Sequence, residues 1–130
     1  MGKISNIILV FFFATSVSFA QADLFSHIKE NFTTGNATML SASFSNNVNC
    51  NILGKSNFHS RSQLTVIFKD FFATYKPKEF EIRNQKIENN GIIYLAGLYK
   101  TQADEIFRVI IYAKQETEME TYIIQIKIEK

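Results

Sequence analysis

Gly54-Lys55-Ser56 has the closing residues of a phosphate-binding loop, G-x-x-x-x-G-K-[ST], in which backbone amides cradle phosphates and a helix follows at once. The first glycine of that pattern falls on Asn49, and the residues after Ser56 read as loop and short strand. Nucleotide binding is therefore excluded. His27, Cys50 and His59 are the soft ligands of the chain. They have none of the C-x-x-C or H-x-x-x-H spacing that brings ligands to one metal. His27 reads as a surface residue of a first helix and His59 as a turn residue. Cys50 and His59 could approach across a short strand pair as a thiol–imidazole nucleophile, but burial among apolar side chains raises a thiol's pKa and suppresses thiolate. Glu116, Glu118 and Glu120 read as a solvated hairpin loop. No residue is assigned a catalytic, cofactor-binding or metal-binding role, and no cofactor is implied.

The stretch Asn47-Val48-Asn49-Cys50-Asn51-Ile52 shows what positions the thiol. Val48, Cys50 and Ile52 share one face of a period-two strand and the three asparagines take the other. Cys50 is thus expected to point inward as a small apolar residue.

The N-terminus sets the compartment. Lys3 is the sole charge before Asp23, an apolar run extends from Ile7 to Val17, and small residues follow at Ser18-Phe19-Ala20 and Ala20-Gln21-Ala22. These are the three parts of a secretory signal. Residues 1–22 are expected to be removed, with the cut after Ala22 preferred over Ala20, and residues 23–130 to form a single domain. The apolar run is shorter than the roughly 20 residues that span a bilayer. A lipid anchor would need a cysteine directly after the cut, whereas the chain's one cysteine is Cys50. The expected location is exported, periplasmic or secreted.

The formal charge is +2, and Lys3 leaves with the signal. That balance gives no reason to propose nucleic acid as a partner. Thirteen Phe and five Tyr supply a core, and a single Pro with five Gly argues against a linker-rich chain.

Asp23 to about Thr33 reads as a helix capped by Asp23, with Leu24, Phe25, Ile28 and Phe32 at helical spacing and Gly35 as its stop. Asn36 caps a second short helix through about Phe44. The asparagine-rich strand covers about residues 47–53, Gly54 to Asn57 turns the chain, and Phe58 sits on a very short return strand. Ser60 and Gln63 fit a capping box. It opens a third helix, with Leu64, Ile67, Phe68 and Phe71 in one stripe. After Pro77 the period becomes two. Glu79–Lys86, Ile92–Lys100, Ile106–Lys114 and Thr121–Glu129 read as strands, with Asn89-Asn90-Gly91 as a tight hairpin. In the last strand Tyr122, Ile124, Ile126 and Ile128 are expected on one face. Helices first and a meander last give an α+β class, three helices on one face of a curved antiparallel sheet.

That order resembles the nuclear transport factor 2-like, or cystatin-like, superfamily. More narrowly, the chain resembles the bacterial family of exported proteins known as domain of unknown function 4783. The likeness is carried by Gly35-Asn36-Ala37, Phe44 before Val48, Ser60 with Gln63, Phe71-Phe72, Pro77, Phe80, Gly97, Phe107-Arg108-Val109 and Ile126-Lys127-Ile128-Glu129, in that order and spacing. It implies a cone-shaped fold and export, and transfers no site residues. In a bacterial protein the sequons Asn31-Phe32-Thr33 and Asn36-Ala37-Thr38 carry little meaning. Superfamily relatives include isomerases and dehydratases with a carboxylate or His in an apolar mouth, where desolvation tunes its pKa. Here the resemblance points to Asp70, and to whichever of Tyr94 and Tyr99 faces inward. Asp70 also reads as a solvated charge beside Lys69.

The leading expectation is a non-enzymatic exported domain that binds a small apolar ligand or a protein partner through its cone or sheet, with homodimerisation through the sheet as the superfamily's example. The alternatives are a small isomerase- or dehydratase-type enzyme and a structural envelope component. Filling of the cone by Phe and Ile side chains would sink the ligand version and make the solvated sheet face, where superfamily members often dimerise, the better candidate.

Overall fold

The computed structural model describes residues 19–117 and 120–130, with side chains from Asp23 onward. Most of the expected signal segment, and Glu118, lie outside the described residues. Helix α1 spans Phe19–Thr34, α2 Ala37–Ser41 and α3 Arg61–Thr74, while strands β1 to β6 are Phe44–Ile52, Lys55–Ser60, Pro77–Ile87, Ile92–Thr101, Ile106–Gln115 and Thr121–Glu129. Asp23 lies inside α1 and does not cap it. No Pro or Gly interrupts Phe19 to Ala22, so the helix runs through them. Gly35 ends α1 at φ +69°. The Asn36 side chain then accepts from the Met39 amide, as a cap should. The helix it opens is shorter than expected, because Phe44 already belongs to β1.

The six strands form one sheet in the order β2-β1-β6-β5-β4-β3. The sheet is mixed, not wholly antiparallel: β1 runs parallel to β6. The return strand β2 has six residues and pairs along most of β1, from Asn47 opposite Ser60 to Ile52 opposite Lys55. The turn between them is therefore Leu53-Gly54 alone. Two register shifts help to curve the sheet: one lies between Ile82 and Asn84 of β3, and in the other Ile124 of β6 is left without a partner on β5. The second one inverts the expected face at the start of β6. Ile123 is buried with Ile126 and Ile128, while Tyr122 and Ile124 are only half-buried.

The helices pack into the concave face. Phe32 of α1 is fully buried, stacks on Phe80 at 4.8 Å and meets Phe68 and Phe72 edge-on. Phe71, Tyr99 and Phe107 continue this cluster. Burying each such ring contributes about 1.5–3 kcal/mol relative to leaving it exposed. The centre of the cone is thus filled with aromatic side chains. Gly97 of β4 makes room for one of them: an added Cβ would lie 2.5 Å from Phe80 Cζ. In α3 the expected stripe is buried at Leu64, Phe68 and Phe71, joined by Phe72, with Ile67 at its half-buried margin.

Both outer strands are protected. On β2 the Phe58 amide donates to Asn57 Oδ1 (2.9 Å) and the Ser60 amide to Gln63 Oε1 (3.0 Å). On β3, Lys78, Glu79, Glu81, Arg83 and Lys86 are all exposed. Among the described residues, no helix is long and apolar enough to cross a membrane.

Candidate functional site

A cavity of about 710 Å³ opens between α3 and the β1–β2 hairpin. Its apolar lining comes from Ile52, Leu53, Val66, Ile67, Phe71 and Tyr75, and its polar lining from Cys50, Lys55, His59, Asp70 and Thr74. The alternation of β1 sends Cys50 and Ile52 inward, and the hairpin register sets Lys55, Asn57 and His59 on the same face of β2. The 3.6-residue repeat of α3 brings Ile67, Asp70, Phe71 and Thr74 to the opposite wall.

Cys50 is 1% exposed and points inward, as its strand pattern predicts. Its thiol lies 3.7 Å from the Val48 carbonyl oxygen, and burial pushes its pKa up to about 11. Burial thus favours its thiol form at neutral pH. His59 stands opposite Val48 and not opposite Cys50. That is a diagonal, for which side chains start about 7–8 Å apart. The two line one cavity without forming a thiol–imidazole pair.

Asp70 is exposed, as a solvated charge should be, yet it also lines the cavity. His59 does so too, from a strand and not from the turn expected for it. The side chains of Lys55, His59 and Asp70 have no hydrogen bond or ion pair among the described residues. Tyr99 is the inward tyrosine of β4, and burial raises its pKa. Its hydroxyl is committed to the Tyr75 carbonyl, and Tyr99 is not among the residues that line the cavity. Tyr94 faces out and pairs with Tyr112, ring centroids 5.3 Å apart.

Other sequence candidates resolve into structure. His27 Nε2 lies 2.9 Å from the Met39 carbonyl oxygen, a bond that ties α1 to α2 when Nε2 carries the proton. Asn31 is buried and its amide donates to the His27 carbonyl, which closes the first sequon. Gly54-Lys55-Ser56 leads into β2 and not into a helix. Among the described residues, no three of His, Cys, Asp and Glu gather as a metal site.

Leu53 and Tyr75 were not singled out by sequence, and Lys55 only within the rejected phosphate-loop pattern. Leu53 adopts φ +52° beside Gly54 at +87°, so both turn residues are left-handed, as a two-residue hairpin turn requires. Leucine at such a position costs about 1–2 kcal/mol. Its amide donates to the Ile128 carbonyl (2.9 Å), which fastens the turn to β6. The sequence signal was the short distance between Ile52 and Lys55. Leucine, a poor turn former, concealed it.

A family model for domain of unknown function 4783 matches residues 25–129. Among solved structures, a protein of that family from Bacteroides ovatus superposes with a TM-score of 0.73 at 24% identity, covering 80% of this chain and 92% of the other. A family protein from Bacteroides uniformis gives 0.74 at 23%, covering 81% and 94%. An NTF-2 like protein of unknown function from Silicibacter pomeroyi gives 0.60 at 17%, covering 84% and 91%. No curated protein matches. The fold is nuclear transport factor 2-like, and the chain belongs to the family of domain of unknown function 4783.

Proposed function

We propose that this domain is exported and binds a small, largely apolar molecule in the cavity between α3 and the β1–β2 hairpin. The observation that carries this reading is the contrast between a cone packed with aromatic rings and an open cavity beside it walled by Ile52, Leu53, Val66, Ile67, Phe71 and Tyr75. Its volume lies within the ~300–1,000 Å³ of ordinary ligand sites. Phe32, Phe68, Phe71, Phe72 and Phe80 fill the centre of the cone and overturn a ligand there; the site proposed instead is the open cavity at the cone's side. Export is supported by the tripartite pattern of residues 1–22.

Calorimetric titration with the apolar dye anilinonaphthalene sulfonate tests the site. We expect one saturable site that Val66→Glu weakens by about tenfold, because a charge set against this wall is poorly compensated. Ile106→Glu alters another exposed apolar residue, on β5, and should leave binding unchanged. Equal loss in both variants would defeat the reading.

An acid–base enzyme is the second reading, favoured by His59 and Asp70 lining the same cavity without internal partners. It predicts that the protein speeds solvent deuterium exchange next to the carbonyl of the apolar ketone β-tetralone. A rate unchanged by His59→Gln and Asp70→Asn would remove it.

A further inference from the structure

A second cavity, of about 600 Å³, lies beyond the β1–β2 turn, against the C-terminal end of β6. It shares two wall residues with the first, Leu53 and Tyr75. Tyr75 is held in place by its neighbours, with its ring 5.2 Å from Phe71 and 4.9 Å from Phe107. Leu53 is held differently. Its backbone is fixed to β6 in a left-handed conformation that asparagine or glycine would adopt without strain, and its side chain remains 37% exposed. The turn would form more easily without a leucine. What leucine adds is an apolar surface standing between two cavities. Strain kept at such a point leads from an outlier to a hypothesis of function.

The two cavities differ in chemistry. The first is mainly aliphatic and aromatic. The second carries Phe107 and Tyr75 at its base, with Asn51, Lys127, Glu129 and Lys130 around them. Each of its charges already has a partner: Lys127 and Arg108 share Glu129 at 3.3 and 3.4 Å, and Lys130 pairs with Glu105 at 3.1 Å. An ionic head group would compete with these pairs for a counter-charge. An uncharged head bearing hydroxyls could donate and accept beside them and leave every pair intact.

We propose that the two cavities form one groove across Leu53, and that it takes a single-chain amphiphile, with its apolar chain along α3 and an uncharged, hydroxyl-bearing head beside Lys127 and Lys130. This rests on the ligand-binding reading above and adds the ligand class and the residue that selects it.

Hexyl and decyl glucoside, each kept below its micelle concentration, test the proposal by calorimetry and by amide NMR shifts on the mature protein. Affinity should rise by about fourfold per added methylene between them. Decyl glucoside should shift amides on both sides of Leu53, at Ile67 and at Lys130. Leu53→Asn and Leu53→Gly should each weaken decyl glucoside by about tenfold, while the unfolding midpoint stays level or rises. Equal affinity for the two chains, shifts confined to α3, or variants that lose stability while keeping affinity would each overturn the proposal. If the dye binds and neither glucoside does, the ligand class is wrong and the binding function stands. If the dye also fails to bind, the function itself falls.

Discussion

The Tyr99 hydroxyl donates a hydrogen bond to the backbone carbonyl of Tyr75, which joins β4 to the residue that ends α3. The carbonyl lies where the helix ladder has stopped, so it has no helical partner of its own. Tyr99 serves at once as core and as C-terminal fastener, and through Tyr75 it steadies a wall common to both cavities.

Tyr99→Phe should therefore lower stability by about 1 kcal/mol or somewhat more, since it removes one bond and strands a half-buried acceptor. Urea unfolding measures this as a lower midpoint at unchanged slope. A midpoint equal to that of the parent protein would show the bond to be idle.

Gly97→Ala should cost more than its single methyl suggests. The new Cβ would meet Phe80 Cζ at 2.5 Å and the Glu81 carbonyl oxygen at 3.0 Å. Phe80 is stacked on Phe32 and cannot withdraw without disturbing α1. Overpacking of this kind costs about 1–3 kcal/mol. Thermal unfolding should shift downward, and the NMR signals of Phe32 and Phe80 should move together. A neutral substitution would mean that the ring has another rotamer available.

Alkaline pH should destabilise the fold in a defined window. Burial raises the Cys50 pKa from an ordinary 9.0 to about 11. Tyr99 is raised in the same direction. The unfolded chain thus gives up these protons before the folded one does. The stabilisation is complete below pH 9 and is lost as pH rises toward and through about 11. Cys50→Ala should be somewhat less stable at neutral pH, through lost packing, but its stability should fall less steeply above pH 9. Parallel curves for the two proteins would show that the thiol does not contribute to the alkaline loss.

Legibility in the sequence followed the range of the interaction. Ser60 and Gln63 announce their capping box within four residues, and both of its bonds are present. The inward position of Cys50 follows from alternation alone. Ile124 shows where that alternation fails: it is left out of the register with β5, so Tyr122 and Ile124 depart from the expected face, and nothing local in Tyr122-Ile123-Ile124 marks the step. The parallel contact of β1 with β6 joins segments far apart in sequence and is set by packing. The site was read in part. Asp70 was singled out, but His59 was placed on a turn because Leu53 hid the hairpin's tip. With the turn at Leu53-Gly54, the alternation of β1 carries over to Lys55, Asn57 and His59, and the polar side of the cavity becomes readable.

Asn57 and Gln63, which hold the amides of Phe58 and Ser60, have a consequence beyond local geometry. A bare outer strand is a template on which another chain can add itself, copy after copy, toward a fibril. On β2 two amides of the free edge are engaged by side chains of the same molecule, while the opposite edge along β3 bristles with charge. Both edges of the sheet are thereby made less open to growth. The fold thus carries part of its own safeguard against self-templating.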